Sequence, residues 1–444
     1  MTRRKRTIAR KEGWRDHFLL SQTDARRSEA APGIDPAEVR DLLAPHFPGL
    51  LWGTGLRGAC TRKLKTVERF AAIALRPDPG PEAEPAGVDP RVALEAAHGL
   101  DRICRKAEGF WGVEDYGLLA GFLPLATAEE ALAAARALQE KIRSRTGRTA
   151  TAGIAVYPTL DYAVHETAVN ARKAADHAAF FGPGARIAFD AVSLNISGDR
   201  HFERGDTEAA IQEFKRALAL DPANLNVHNS LGVCHAVRGE LEQALAEFSA
   251  AAALDAHDYM AAYNIGMVHR LLGRREMALE RLEKAAGLRA DQFEILFQAG
   301  SLHLELGRPQ AARDFLERAS RLRSKSGGVY RYLGDCYDAL NLPDKAVAAY
   351  KKALRFNPGD PHALSALGCL FDRKGENPEI SLVFCRESVA LAPQNPVFRH
   401  RLGVLYLKQN RLEEALSQFE AAAGLGLDTA EEIRRVRAQM GARN

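Results

Sequence analysis

Apolar and polar positions follow two different rules along this chain. Between about residues 65 and 190, short apolar runs alternate with amphipathic stretches. FAAIAL (70–75) reads as a strand, and PDPGPEAEPAG (77–87) as a Pro/Gly-rich loop. Residues 90–107 have helical periodicity. GFWGVEDYGLLAGFLP (109–124) reads as a strand, a tight turn at Gly112–Tyr116 and a second strand. Thr127 and Glu130 form a capping box for a helix reaching about Arg145. TATAGIAVYP (149–158), a helix over 162–181 and ARIAFD (185–190) complete the region. This β-α-β-β-α-β order, with one more helix and strand, predicts an α+β domain: helices laid over a mainly antiparallel sheet.

From Ala191 onward the pattern repeats itself. Glycine recurs at Gly198, Gly232, Gly266, Gly300, Gly334, Gly368 and Gly403, each step being 34 residues except the last, which is 35. Twelve residues after the first five glycines stand Ala210, Ala244, Ala278, Ala312 and Ala346. Four further on come Phe214, Phe248, Leu282, Leu316 and Tyr350, and three beyond those Ala217, Ala251, Ala285, Ala319 and Ala353. Ala415, Phe419 and Ala422 repeat the set in the seventh unit. The spacing predicts two short antiparallel helices per unit. The glycine and alanines would stand where the helices cross closely, and the large residue would fill the gap between neighbouring units. Turn signals such as ERGD (203–206) and VRGE (237–240) end the first helices, and Pro222 and Pro358 follow the second. The pattern resembles the tetratricopeptide repeat, in seven units over 191–429, an all-α solenoid. Unit six departs from it: RKGENPEISLVF (373–384) carries an extra residue, Ile380 or Ser381 stands for the first alanine, and Ser388 for the second. Residues 430–444 suit a capping helix.

The sheet region carries a second resemblance. GVEDYGLLAGFLP, TAGIAVYP and NARKAADHAAFFGPGARIAFD are similar to the signature hairpin, next strand and closing helix and strand of the diguanylate cyclase (GGDEF) family. That resemblance implies carboxylates holding a divalent metal against GTP, glycines letting the hairpin approach phosphate, and basic groups on the closing helix. The residues depart from it. Arg76 stands where the first metal carboxylate belongs, Val113 replaces a hairpin glycine, and Pro183 falls near the expected lysine. Arg186 is the nearby candidate for the later arginine, and the product-inhibition motif is missing, with RKAE (105–108) only superficially similar. Glu114 and Asp115 therefore read as vestigial hairpin acids in a degenerate domain over 65–190, with no catalytic residues and no cofactor.

Composition narrows the picture a little. Of 444 residues, 46% are hydrophobic and 27% charged, as in an ordinary globular chain. A net charge of +4 argues against a nucleic-acid binder. Part of it lies in a basic arm, Arg3, Arg4, Lys5, Arg6, Arg10, Lys11 and Arg15, read as a solvated tail. No apolar h-region follows the arm, and no apolar run reaches the roughly 20 residues of a membrane helix. The six scattered cysteines suggest reduced thiols and a cytoplasmic chain. The rest of segment 1–64 offers a short helix at PAEVRDLLAPHF (36–47) and a Gly-rich connection, GLLWGTGLRGAC (49–60). His201, His235, His269 and His303 share one repeat position, three after each glycine, and suit interhelical packing better than a metal ladder.

The repeat resemblance also implies a concave face built from first helices. Carried onto units two to four, its groove positions are Asn229, Val233, Val237, Met260, Tyr263, Met267, Arg270, Leu271, Phe297 and Leu304. Asn264, one place beyond the register that Asn195 and Asn229 share, adds a side-chain amide for the backbone of an extended peptide. The alternative is that later helices or the N-terminal domain cover this face. The expectation is a non-enzymatic scaffold binding a protein or peptide segment, its sheet domain serving docking or dimerisation. A sensor of GTP or cyclic di-GMP is the alternative, and an active diguanylate cyclase a distant third.

Overall fold

The computed structural model describes residues 18–19, 36–78, 89–114, 118–376 and 378–441. Asp115, the basic positions from Arg3 to Arg15, and most of the Pro/Gly-rich loop lie outside the described residues. The chain divides into two compact units, Met1–Ala256 and His257–Asn444.

The first unit begins on a sheet. Strands β1 (Leu51–Trp52), β2 (Phe70–Pro77), β3 (Phe110–Val113), β4 (Leu119–Pro124), β5 (Ala150–Tyr157) and β6 (Arg186–Ala188) stand in the order β1-β3-β4-β2-β5-β6. The inner pairs are antiparallel; the two edge pairs, β1 with β3 and β5 with β6, are parallel. The central strand β2 is apolar from Phe70 to Leu75 because both of its faces are covered there. Ala71, Ile73 and Leu75 point into a core with helices α1 (Pro36–Leu43), α3 (Pro90–Lys106) and α4 (Ala128–Thr146). Phe70, Ala72 and Ala74 point into the opposite core, with α2 (Gly53–Leu64) and α5 (Glu166–Ala178). The capping box closes α4: Glu130 N–H donates to Thr127 Oγ1 at 3.2 Å, and Thr127 N–H to Glu130 Oε2 at 2.8 Å. Gly153 is required, since a Cβ there would lie 2.0 Å from the Ala171 carbonyl oxygen of α5.

One sequence expectation is corrected here. Residues 53–64 are a helix rather than a Gly-rich connection. Leu56, Ala59, Cys60 and Leu64 supply a buried stripe at helical spacing, and side-chain packing outweighs the poor helix propensity of Gly53, Gly55 and Gly58.

Helix α6 (Ala191–Glu203) follows β6 almost at once, capped by Asp190, whose Oδ1 accepts from the Ser193 N–H at 2.8 Å. Repeat one is α6 with α7 (Thr207–Leu220), and repeat two is α8 (Leu225–Arg238) with α9 (Leu241–Leu254). Lys173 of α5 meets Glu213 of α7 at 2.7 Å, both about 10% exposed. Asp176 accepts from Arg76 at 2.6 Å and also from Arg200 of α6.

The second unit is helical: α10 (Tyr259–Leu271), α11 (Arg275–Leu288), α12 (Phe293–Glu305), α13 (Pro309–Leu322), α14 (Gly327–Ala339), α15 (Pro343–Phe356), α16 (Pro361–Arg373), α17 (Pro378–Leu391), α18 (Pro396–Lys408), α19 (Leu412–Gly424) and the last helix, α20 (Ala430–Gly441). These make repeats three to seven and a final helix that buries Val436. In both units the large residue packs on the glycine of its own helix pair, not simply into the gap between pairs. A Cβ at Gly232 would lie 2.6 Å from the Phe248 ring, and one at Gly334 2.5 Å from Tyr350. In repeat six Ser381 takes the alanine place at 1% exposure, whereas Ile380 is 45% exposed. Cys385 takes the aromatic place, its Sγ 2.7 Å from a Cβ built on Gly368.

Candidate functional site

The hairpin acids come first. Glu114 follows β3, its N–H bonded to the Leu118 carbonyl at 2.9 Å, and its carboxylate lies 4.0 Å from Arg172 of α5. Beside it is a cavity of about 160 Å³, lined by Arg57 and Cys60 of α2, Phe122, and His165 and Arg172 at and on α5. Pockets that hold small molecules usually begin near about 300 Å³. Burial pushes the Cys60 thiol up to about 12, so it is no nucleophile at neutral pH. Val113 does not reach the cavity: it is fully buried in the core on the other face. Arg76 brings a guanidinium where the cyclase resemblance asks for a metal carboxylate, and its partner Asp176 is already neutralised by two arginines. Arg186 donates to Gln139 Oε1 at 2.7 Å and faces α4. These residues do not fit a divalent ion, which needs oxygen ligands. Among the described residues, no cluster of His, Cys, Asp and Glu has the makings of a metal site. Of the repeat histidines, His235 meets Glu240 at 2.7 Å and His303 meets Glu283 at 3.0 Å.

The groove positions divide by exposure. In repeat two, Asn229 and Val233 are fully buried, and Val237 is half-buried. In repeat three, Tyr263, Asn264 and Met267 are buried, at 1%, 0% and 3% exposure. Met260, Arg270 and Leu271 are half-buried, as are Phe297 and Leu304 in repeat four. Arg270 reaches the next first helix, donating to Ser301 Oγ at 3.0 Å and to Gln298 and Glu305. Phe297 stacks on Phe293 at 5.7 Å and meets Tyr332 edge-on at 5.4 Å. Tyr263 and Met267 thus do not open with Phe297 into one accessible pocket.

The same register carried into repeats five to seven finds a cleft that the sequence reading missed. It measures about 390 Å³ and is lined by Asp335, Asp338, Tyr350, His362, Cys369, Arg373 and Arg401. Asp335 is its polar centre. Tyr350 donates its hydroxyl to Asp335 at 2.6 Å, and His362 Nδ1 and Arg331 each stand 3.6 Å from the carboxylate. Burial holds the Asp335 carboxyl above its ordinary value and the His362 imidazole below its own. Arg401 donates to Ser365 Oγ at 3.1 Å, and Arg373 pairs with Asp338. Cys369 has its thiol lowered by a hydrogen bond from Cys385. Asp335 and Asp338 fall nine and twelve residues into repeat five, the offsets of Met267 and Arg270 in repeat three. The cleft was therefore legible in principle from the repeat register.

With helix pairs, glycine crossings and groove register in hand, the comparisons decide the repeat type. Repeat-family models match residues 198–236 as a TPR repeat, and 263–327, 297–361 and 398–425 as tetratricopeptide repeat. The C-terminal array is built of tetratricopeptide repeats. Solved structures are similar to it. YrrB, described as a TPR protein with an unusual peptide-binding site, is 21% identical, covering 45% of this chain and 97% of its own, with a TM-score of 0.39. A tetratricopeptide repeat protein from Parabacteroides merdae is 18% identical, covering 55% and 96%, with a TM-score of 0.42. PilF of Pseudomonas aeruginosa is 21% identical, covering 46% and 92%, with a TM-score of 0.41. No curated protein sequence matches the chain. Among the described residues, no helix is long and apolar enough to cross a membrane.

Proposed function

We propose that the chain is a non-enzymatic scaffold whose tetratricopeptide repeats bind an extended protein segment along the first helices of repeats four to seven. The observation that carries this reading is on those helices. The half-buried Phe297 and Tyr332 lie beside a charged cleft centred on Asp335, with Tyr332 and Asp335 on one helix. An aromatic ledge takes an apolar side chain, and Arg401 and Asp335 orient polar groups of the same segment. A photo-crosslinking residue at position 297 should capture a partner that the same residue at Met277, an exposed second-helix position, does not. Equal capture from both positions would refute the groove.

We propose further that the sheet domain is a cyclase-like domain without turnover, serving docking or dimerisation. The ion pairs of Asp176 with Arg76 and Arg200 and the small cavity at Glu114 support this reading. Calorimetry of the full chain should show no saturable binding of GTP or cyclic di-GMP. A saturable isotherm lost in Arg172→Ala would favour the sensor reading instead.

A further inference from the structure

Phe18 is the unexplained residue of the first unit. It belongs to no helix or strand and precedes α1 by many residues, yet it is only 6% exposed. Its ring is stacked with Phe248 of α9, centroids 6.1 Å apart and planes 18° apart. Phe248 is the large residue of repeat two, lying over Gly232 with no exposure of its own. Offset stacking at this separation is a favourable aromatic contact beyond area burial. Leu19, the next residue, is half-buried.

Asn195 and Asn229 hold the same position in repeats one and two, and both are buried, at 2% and 0% exposure. Asn195 Oδ1 is a buried acceptor without a hydrogen bond while Phe18 is seated, and so stays open to the backbone N–H of a longer segment. Val233, four residues beyond Asn229 on the same helix face, is buried as well. These first-helix positions are where the repeat register places groove residues.

We propose that repeats one and two carry an anchor pocket, floored by Phe248, for an aromatic side chain of an extended peptide, and that Phe18 of this chain fills it in cis. The ligand class is a segment with an aromatic residue followed by leucine, as Phe18-Leu19-Leu20 presents. The inference rests on reading the repeats as segment-binding. It adds that the first two are already engaged, so that a partner there must displace the arm. A tethered ligand competes at the high effective concentration of its linker, so the wild-type pocket is masked to free peptide.

The test uses the full chain and a fluorescein-labelled peptide of residues 10–26. By anisotropy, Phe18→Ala protein should bind this peptide at least about tenfold tighter than wild type does, because the tethered competitor is gone. The same peptide with its phenylalanine replaced by alanine should bind neither protein. Phe18→Trp protein, which keeps an aromatic anchor, should stay masked. Trypsin should cut after Arg15 faster in Phe18→Ala than in wild type, with unchanged far-UV circular dichroism showing that the fold is intact. Equal peptide affinity for wild type and Phe18→Ala, or binding to neither, would overturn the proposal. Crosslinking from position 297 is independent of Phe18, so a failure here with capture there removes this pocket alone and leaves the scaffold reading standing.

Discussion

Repeats two and six meet the same steric demand with different side chains. Over Gly232 lies the Phe248 ring, and its own first helix keeps Asn229 and Val233 fully buried. Over Gly368 lies only the Cys385 thiol, and the first helix of repeat six lends His362, Cys369 and Arg373 to an open charged cleft. Repeats one and two also have anchors outside the array, through Glu213 to Lys173 and through Phe248 to Phe18. One backbone register therefore supports both a covered, apolar face and an open, polar one. What differs is the size of the residue filling each glycine crossing and what lies on top of the first helix.

The hardest blow to this contrast is Phe248→Ala. It empties the space over Gly232 and removes the floor under Phe18, and should cost about 3–5 kcal/mol, read as a lower urea midpoint. A loss no larger than that of Cys385→Ala, about 1 kcal/mol for a small buried thiol, would mean that the two crossings are energetically alike. Next comes the anchor of repeat one. Glu213→Ala leaves the Lys173 ammonium buried without its partner, and a broken buried pair costs about 3 kcal/mol or more. Glu213→Gln should lose less because the amide still accepts. Hydrogen exchange in α7 that is equally slow in both variants would show that the ion pair does not hold the joint.

A chemical prediction follows from the cleft. The Cys385 S–H donates to Cys369, and Arg401 lies close by, so the Cys369 thiol ionises more easily than usual. Burial pushes the Cys336 thiol up to about 12. Iodoacetamide at pH 7.5 should modify Cys369 well before Cys336, and Cys385→Ala should slow that reaction by removing the donor. Equal rates in a peptide map would remove the polar character claimed for the cleft.

The smallest effect is pH dependence. Burial lowers the imidazoles of His269, His303 and His362. Above an unfolded value of about 6.5 both folded and unfolded chains hold them neutral. Below it the unfolded chain takes up protons that the folded one resists, so stability falls as pH drops through that value towards the folded ones. His269→Gln should flatten the slope between about pH 6.5 and 5. A slope unchanged in this variant would place the sensitivity elsewhere.

The helix pairs, their seven-fold recurrence and the strands β2 to β6 were legible along the chain, because each rests on a local pattern: alanines and glycines at fixed offsets, the apolar run FAAIAL, the Thr127–Glu130 box; β1 and the order of the strands in the sheet were not. Even the irregular repeat was marked, although only packing chose Ser381 over Ile380. Exposure was not legible. Tyr263 and Met267 occupy groove positions by register yet are closed to solvent, while Asp335 and Arg401, two and four repeats further on, frame the open cleft. Residues 53–64 hid a helix among glycines, because their burial depends on a sheet face made of distant strands. Arg76 was visible as a misplaced cation, but its partner Asp176, which it shares with Arg200, lies a hundred residues on and meets it only once the sheet and first repeat are packed. Phe18 gave no local signal at all. Period and propensity act over a few residues and are written in the chain; burial, ion pairing and occupancy of a groove depend on residues brought together from far apart, and tertiary packing alone sets them.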